Sequence, residues 1–357
     1  MTLDRGLVHR DSLDRRTDTN LKPEEHLRVR KGDIAYNMMR MWQGASGLAE
    51  EDALVSPAYV VLTPKKDVDP RFAAYLFKLP ELIHRFWAYS YGLTDDRLRL
   101  YFNDFKRIPW EFPPLAEQKK IADILSTWDK AIETTGKMFA NAEAQKRGLM
   151  QHLLTGKRRL KGFEGREWKE VSFSDVVQVS KSRLDPTEEH EPLPCIELEH
   201  IEAGTGRILG TTSSDQQASI KAAFSPGDIL FGKLRPYLRK YYAPSFNGVC
   251  STEIWVLKPD ARKLTTGFLH VLVQSDGFLA EANRSSGSKM PRADWKVVSA
   301  FRFRLPDTDE QTAIADAIET FATEAGLLKR QRELLEEEKR ALMQELLTGK
   351  RRVENME

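Results

Sequence analysis

The 357-residue chain is poor in cysteine, in net charge and in long apolar runs. Cys195 and Cys250 are its two cysteines and make no CxxC pair. That excludes a disulfide framework and makes a reducing, cytoplasmic setting the expectation. No run of about 18 apolar residues occurs, so no apolar helix is expected to span a membrane. The opening MTLDRGLVHRDSLDRR has no apolar core for a secretory signal. Formal net charge is only +2, so contact with nucleic acid has to rest on local basic patches.

The parts of an enzyme are also missing. The chain has no Asn-Pro-Pro-aromatic motif for amino-methyl transfer, no glycine-rich cofactor turn after a strand, and no G-x-x-x-x-G-K-[ST] for an ATP motor. Pro306-Asp307 with Glu337-x-Lys339 imitates a nuclease pattern, but Glu337 lies in a run of Glu and Lys that reads as a solvated helix face. His190, Cys195 and His200 are close in sequence without a common zinc spacing. Neither catalytic residues nor a metal nor a cofactor is expected on this chain.

What is present is a repeat. LMQHLLTGKRR (149–159) returns as LMQELLTGKRR (342–352), 193 positions later. At that shift, 116–160 aligns with 309–353 without a gap, and 19 of 45 pairs are identical, which marks an internal duplication. Both copies lack proline and carry apolar residues at alternating spacings of four and three. The seam is Ile121, Leu125, Trp128, Ile132, Phe139, Ala142, Leu149 and Leu153 in one, and Ile314, Ile318, Phe321, Ala325, Leu328, Leu335, Leu342 and Leu346 in the other. Thr-Gly at 155–156 and 348–349 is the expected helix stop, and the bases after it suit the negative helix end. At ~1.5 Å per residue, a helix of about 38 residues is longer than a domain is wide, so each seam needs a long partner, and the other copy is the natural one.

A fainter repeat precedes each helix. GDIAYNMMRMW starts at Gly32 and GDILFGKLRPY at Gly227, a shift of 195 that also aligns Val55-Ser56 with Cys250-Ser251 and Pro64 with Pro259. SPAYVVLTP and STEIWVLKP read as strands bounded by proline. The plan is globular part, long helix, globular part, long helix, divided at 1–113, 114–160, 161–307 and 308–357. The first globular part has 31 residues ahead of its Gly-Asp and the second about 60. The first is therefore expected to be N-terminally shortened, through a misplaced gene start, a truncation or a smaller domain.

FPPLAEQKKIADIL, LMQHLLTGKRRL, PCIELEHIEAGTG and FSPGDILFGKLRPYLRK resemble the specificity (S) subunit of type I restriction-modification systems, over nearly the whole chain. The resemblance implies an α+β fold. Two mixed α/β target recognition domains would be separated by two long helices packed as an antiparallel coiled coil, with an internal pseudo-two-fold. It implies double-stranded DNA, two methyltransferase (M) subunits and a restriction (R) subunit as partners. S-adenosylmethionine, ATP and Mg would sit on those partners. An antiparallel pair of helix copies creates a local two-fold, which would place two half-sites in opposite orientation on duplex DNA, with helix length setting their separation.

The DNA-contacting candidates follow from charge. Residues 185–202 hold seven acids and no lysine or arginine, whereas 231–240 hold four bases and no acid, and 283–304 six bases and one acid. Arginine and lysine contact phosphates or guanine edges, and asparagine or glutamine adenine. The candidates are Lys233, Arg235, Tyr237 and Arg239, with Arg284, Lys289 and Arg292 from the later loop. In the first domain they are Asn37, Arg40, Trp42 and Gln43, with Arg97 and Arg99. Lys157, Arg158 and Arg159, and their copies 350–352, are expected to contact DNA backbone, contact a partner or cap the helix. The competing functions are a scaffold without sequence-specific DNA binding and, more remotely, a self-contained methyltransferase or nuclease.

Overall fold

Each Gly-Asp stretch folds as the same turn. Gly32 and Gly227 take left-handed conformations, φ 91° and 96°, which a side chain would strain. The next aspartate accepts a bond from the amide three residues earlier, Arg30 N to Asp33 Oδ2 and Ser225 N to Asp228 Oδ2, both at 2.9 Å. The turn launches a buried strand in each case. In the computed structural model the described residues are 1–3, 5–13, 21–188, 191–284 and 290–353. The chain divides into two units, Met1–Thr135 with Gln331–Glu357, and Gly136–Arg330.

Unit 1 contains β1 (Leu27–Val29), β2 (Ile34–Asn37), β3 (Ser46–Leu48), β4 (Ala53–Val55) and β5 (Tyr59–Leu62), then α1 (Pro70–Leu76), α2 (Pro80–Ala88) and α3 (Phe102–Phe105). The sheets are β3-β2-β5 and the pair β1-β4, all antiparallel. Asp69 caps α1 by accepting from Arg71 N and Phe72 N, ahead of a first-turn proline. The first turns of α4 (Leu115–Leu153) close the unit. Its core joins Ile34, Tyr36, Phe72, Leu76 and Phe86 to Ile121, Ala122 and Leu125 of α4, and to Leu346 and Leu347.

Unit 2 takes the rest of α4, then β6 (Lys169–Ser172), β7 (Val177–Val179), β8 (Arg183–Leu184), β9 (Pro194–Ile196), β10 (Thr212–Ser213) and β11 (Lys221–Phe224). There follow β12 (Ile229–Gly232), β13 (Tyr241–Tyr242), β14 (Gly248–Cys250), β15 (Ile254–Pro259), α5 (Thr266–Leu272), α6 (Asp276–Asn283), α7 (Trp295–Val298) and β16 (Arg302–Leu305). The first part of α8 (Thr308–Leu347) ends the unit. The sheets are β10-β9-β14-β11-β8, β13-β12-β15-β7 and β16-β6. Phe173, Phe231, Phe268 and Phe278 pack with Met150, Leu153 and Leu154 of α4 and with Ile314 and Ile318 of α8.

The registers repeat. Ile34 faces Leu62 and Ile229 faces Leu257, while Leu27 faces Val55 and Ala222 faces Cys250. In unit 1 the start of α4 lies beside the end of α8, and in unit 2 the end of α4 lies beside the start of α8. Within each unit the two helices are therefore antiparallel. Each stops just before its Thr-Gly, with Gly156 and Gly349 left-handed at φ 69° and 72° and their amides bonded back to Leu153 and Leu346. Of the expected seam, Ile121, Leu125, Ile314 and Ile318 are fully buried, whereas Trp128, Ile132, Phe321 and Leu328 are half-buried. The apolar contact is concentrated near the globular cores and thins along the helix. Thr135 and Lys146 are buried between the apolar positions.

Candidate nucleic-acid interface

In unit 2, β12 runs into a loop at 233–240 built on one 3-10 turn, Pro236–Leu238. Arg235 and Arg239 flank that turn, both at φ 52°, and are the two non-glycine residues with positive φ among those described. Such a backbone costs on the order of 1–3 kcal/mol per residue and persists only where neighbours hold it. Here Arg235 N donates to Pro291 O at 2.8 Å, Gly204 N to Arg239 O at 3.0 Å and Gly232 N to Lys240 O at 2.8 Å. The loop thereby presents Arg235 and Tyr237 to solvent, while Lys233 is half-buried.

Two sequence clusters some 55 positions apart meet here. Leu234 and Arg292 form an antiparallel bridge, and Ala293 N donates to Lys233 O at 2.8 Å. Arg292 is held by Glu253 at 3.0 Å and Arg239 by Asp276 at 2.9 Å, so both are positioned by carboxylates as well as exposed. Arg284 pairs with Glu281 at 3.1 Å at the far end of α6 from Asp276, and is not brought to this loop. Lys240 is turned inward, its Nζ donating to Leu198 O at 2.6 Å. Lys289 lies outside the described residues.

Unit 1 repeats the junction. Leu100 N donates to Met38 O at 2.8 Å, in the repeat positions of Ala293 and Lys233. Arg40 and Gln43 are exposed and bonded to each other, Nε to Oε1 at 3.0 Å. Asn37 and Trp42 are used by the turn itself: Asn37 Oδ1 accepts from Met39 N, and Trp42 Nε1 donates to Met39 O, both at 3.0 Å. Arg97 and Arg99 are exposed on an arm closed by a Tyr91–Arg99 bridge.

The helix-end bases divide into two kinds. Arg159 makes a two-pronged bond to Glu310, 2.6 Å on each side, and its guanidinium lies 5.0 Å from the Trp168 ring. Its repeat partner Arg352 does the same with Glu117, at 2.7 and 2.6 Å. Each phrase thus holds the first turn of the other helix copy, a role stronger than capping its own helix end. Lys157, Arg158, Lys350 and Arg351 remain exposed. Beside each glutamate, Gln118 and Gln311 are buried and fully used. Gln118 accepts from Asp69 N and donates to Asp67 O and Pro113 O. Gln311 accepts from Thr265 N and donates to Lys263 O and Pro306 O. The Glu-Gln dipeptide was visible in the repeat as an identity, but apart from the prolines five positions before each glutamine these partners are 46 or more positions away, and spacing alone does not reach them.

Asp307 of the nuclease-like pattern caps α8. It accepts from Glu310 N and from Arg166, and these bonds hold its carboxyl below the usual range. Glu337 is exposed within α8. Burial pushes the Cys195 and Cys250 thiols up. His190 lies outside the described residues, and among the described residues no three His, Cys, Asp or Glu side chains gather as metal ligands. No described helix is long and apolar enough to cross a membrane.

A family model described as the type I restriction modification DNA specificity domain matches residues 17–140 and 165–337. The chain belongs to that family, and its function is DNA specificity in a restriction-modification system. It is 24% identical over 348 residues to the type I restriction enzyme MjaVIII specificity subunit of Methanocaldococcus jannaschii, covering 90% of this chain and 80% of that one. It is 28% identical over 185 residues to the EcoDI specificity subunit of Escherichia coli, covering 49% and 41%. The fold is shared with the type I restriction-modification S subunit from M. genitalium, at TM-score 0.58, 17% identity, and coverage of 89% and 83%. It is also shared, at TM-score 0.54 and 17% identity, with a chain solved in work on complex assembly and conformational transition of the type I R-M system, covering 92% and 85%.

Proposed function

We propose that residues 1–113 and 161–307 are two target recognition domains, each reading one half of a bipartite site in double-stranded DNA. The helical regions 114–160 and 308–357 join them and receive partner subunits. The chain itself is non-catalytic. It directs two methyltransferase subunits and a restriction subunit, which carry S-adenosylmethionine, ATP and Mg, and the assembly works in the cytoplasm.

One observation carries this reading. The same backbone junction, Lys233 O with Ala293 N and Met38 O with Leu100 N, joins a basic loop to a second basic segment in both units. The strained conformation of Arg235 supports base reading over loose phosphate contact, because a fixed backbone aims a guanidinium at one groove position. In this reading Arg235, Tyr237 and Arg239 form the centre of one half-interface, with Lys233 and Arg292 beside them. Arg40 and Gln43, with Arg97 and Arg99, form the other.

The test is co-expression with the methyltransferase subunit encoded beside it, followed by genome-wide mapping of methylated adenines. The expected result is one split motif with two defined halves. A stable complex that methylates nothing would instead favour a scaffold without sequence reading.

A further inference from the structure

The same turn follows β2 in unit 1 and β12 in unit 2, and the two units end it differently. Each is a single 3-10 turn, Met41–Gln43 or Pro236–Leu238, closed by a left-handed residue, Gly44 at φ 81° or Arg239 at φ 52°. The amide of each closing residue bonds back to the first residue of its turn, Gly44 N to Met41 O and Arg239 N to Pro236 O. Gly44 and Arg239 are counterparts at the repeat shift of 195. Glycine takes this backbone without strain, and arginine does not. In unit 1 there is also no room for a side chain, since a Cβ on Gly44 would lie 2.8 Å from Ile83 Cδ1 of α2. In unit 2 the same position carries a long side chain that reaches the start of α6, where Arg239 Nη2 donates to Asp276 Oδ1 at 2.9 Å.

Unit 1 has neither member of this pair. Asp276 is the first residue of α6, after the N-cap Ser275, and the first residue of α2, after the N-cap Leu79, is Pro80. The pair is not explained by stability. The Arg239 and Asp276 side chains are 44% and 78% exposed, and an ion pair so open to water contributes too little to offset a strained backbone. Nor is Asp276 the cap of its helix, because the Ser275 hydroxyl accepts from Phe278 N. What the pair does is hold a guanidinium in one place. Among the described residues Asp276 is the only hydrogen-bond partner of that guanidinium, so most of its five N–H donors remain for a ligand. The carboxylate also repels phosphate. The pair is therefore suited to directional bonding with a neutral base edge rather than to charge attraction toward the DNA backbone.

We propose that Arg239 reads a guanine in the half-site of unit 2, and that Asp276 is the positioning residue that sets its guanidinium. Guanine presents two acceptors, O6 and N7, side by side in the major groove, which match two parallel N–H groups of an arginine fork. A backbone fixed at φ 52° and a carboxylate at 2.9 Å define where that fork lies. Unit 1, with Gly44 and Pro80 at the two positions, makes no counterpart of this contact in its own half-site. The inference rests on the reading of unit 2 as a recognition domain and adds to it the base and the residue that aims the reader.

The test is to co-express the full chain with its methyltransferase subunit at limiting level, so that sites are partly methylated, and to map methylated adenines for the native chain, Arg239→Gly and Asp276→Asn. Arg239→Gly gives the turn the residue that unit 1 has there, so the melting temperature should hold or rise. One guanine in one half of the split motif should become degenerate, with the other half unchanged. Asp276→Asn should lower the preference for that same guanine by about tenfold at an unchanged melting temperature. Less methylation at an unaltered motif would make Arg239 a phosphate contact and overturn the proposal. So would relaxation at a base other than guanine. Degeneracy in Arg239→Gly with an unaltered motif in Asp276→Asn overturns the positioning role. A native chain that directs methylation to no split motif overturns the recognition reading itself, and this inference with it, which separates that failure from the others.

Discussion

One glutamate–arginine pair occurs twice in this molecule, in two settings. Glu310 is fully buried, its partner Arg159 is largely covered, and Trp168 Nε1 adds a third bond to Glu310 at 2.9 Å. Glu117 is mostly covered, but Arg352 is 64% exposed, and the third bond comes from the amide of Val353. The duplicated sequence specifies the same geometry in both places. What surrounds the pair decides how much it stabilises, because a buried charge deprived of its partner cannot recover water, whereas an exposed one can.

The largest expected effect separates these two clasps. Glu310→Ala leaves Arg159 covered and unpaired and should destabilise the chain by about 3 kcal/mol. Glu117→Ala should shift the urea midpoint distinctly less. Equal shifts in the two denaturation curves would break the comparison.

Next in size are the glutamines, where the two units are alike. Gln118→Ala and Gln311→Ala each strand one buried amide and two carbonyls and should cost about 2 to 3 kcal/mol. A large inequality would show that one unit relaxes around the loss.

The recognition loops come third. Arg235→Gly relieves the left-handed backbone, so the melting temperature should hold or rise, while affinity for the bipartite duplex falls about tenfold. Arg40→Ala should weaken binding similarly if unit 1 reads its half-site. An unchanged dissociation constant for Arg40→Ala would mark unit 1 as silent.

A smaller effect is expected with pH. Bonds from Arg352 hold the Glu117 carboxyl below the usual glutamate range. A depressed folded-state value means that the stabilisation is complete above the unfolded value of about 4.3 and is lost as pH falls through the folded one. Unfolding midpoints of the native chain should therefore drop more steeply below that pH than those of Glu117→Gln. Last, Lys157→Gln and Lys350→Gln alter exposed bases and should change stability by less than about 0.5 kcal/mol. A larger loss would show that these lysines do more than follow the helix end.

Much of the fold was legible because it was written twice. The phrase ending each helix, the Gly-Asp turn and the absence of proline from 116–160 and 309–353 fixed the elements and their order. The roles inside the phrase were not legible. Nothing in Thr-Gly-Lys-Arg-Arg distinguishes the last arginine from the one before it. Only the fold brings Glu310 to Arg159. The DNA-facing candidates divide for the same reason. Charge density located Lys233–Arg239 and Arg292, and the Leu234–Arg292 bridge unites them. Density could not reveal that Asn37 and Trp42 satisfy their own turn, or that Lys240 points inward, because those partners are backbone carbonyls and amides.

The reciprocal clasps also set an order of completion. Unit 2 is one continuous stretch, and its clasp spans 151 positions. Unit 1 needs residues from both ends of the chain, and its clasp spans 235. The longer loop adds only about 0.4 kcal/mol of closure entropy, so the two clasps differ little at equilibrium. During synthesis the difference is large. As the chain leaves the ribosome, residues 1–135 emerge first, yet they wait for the final helix turns to finish their core. Unit 1 begins to be made before unit 2 and is finished after it.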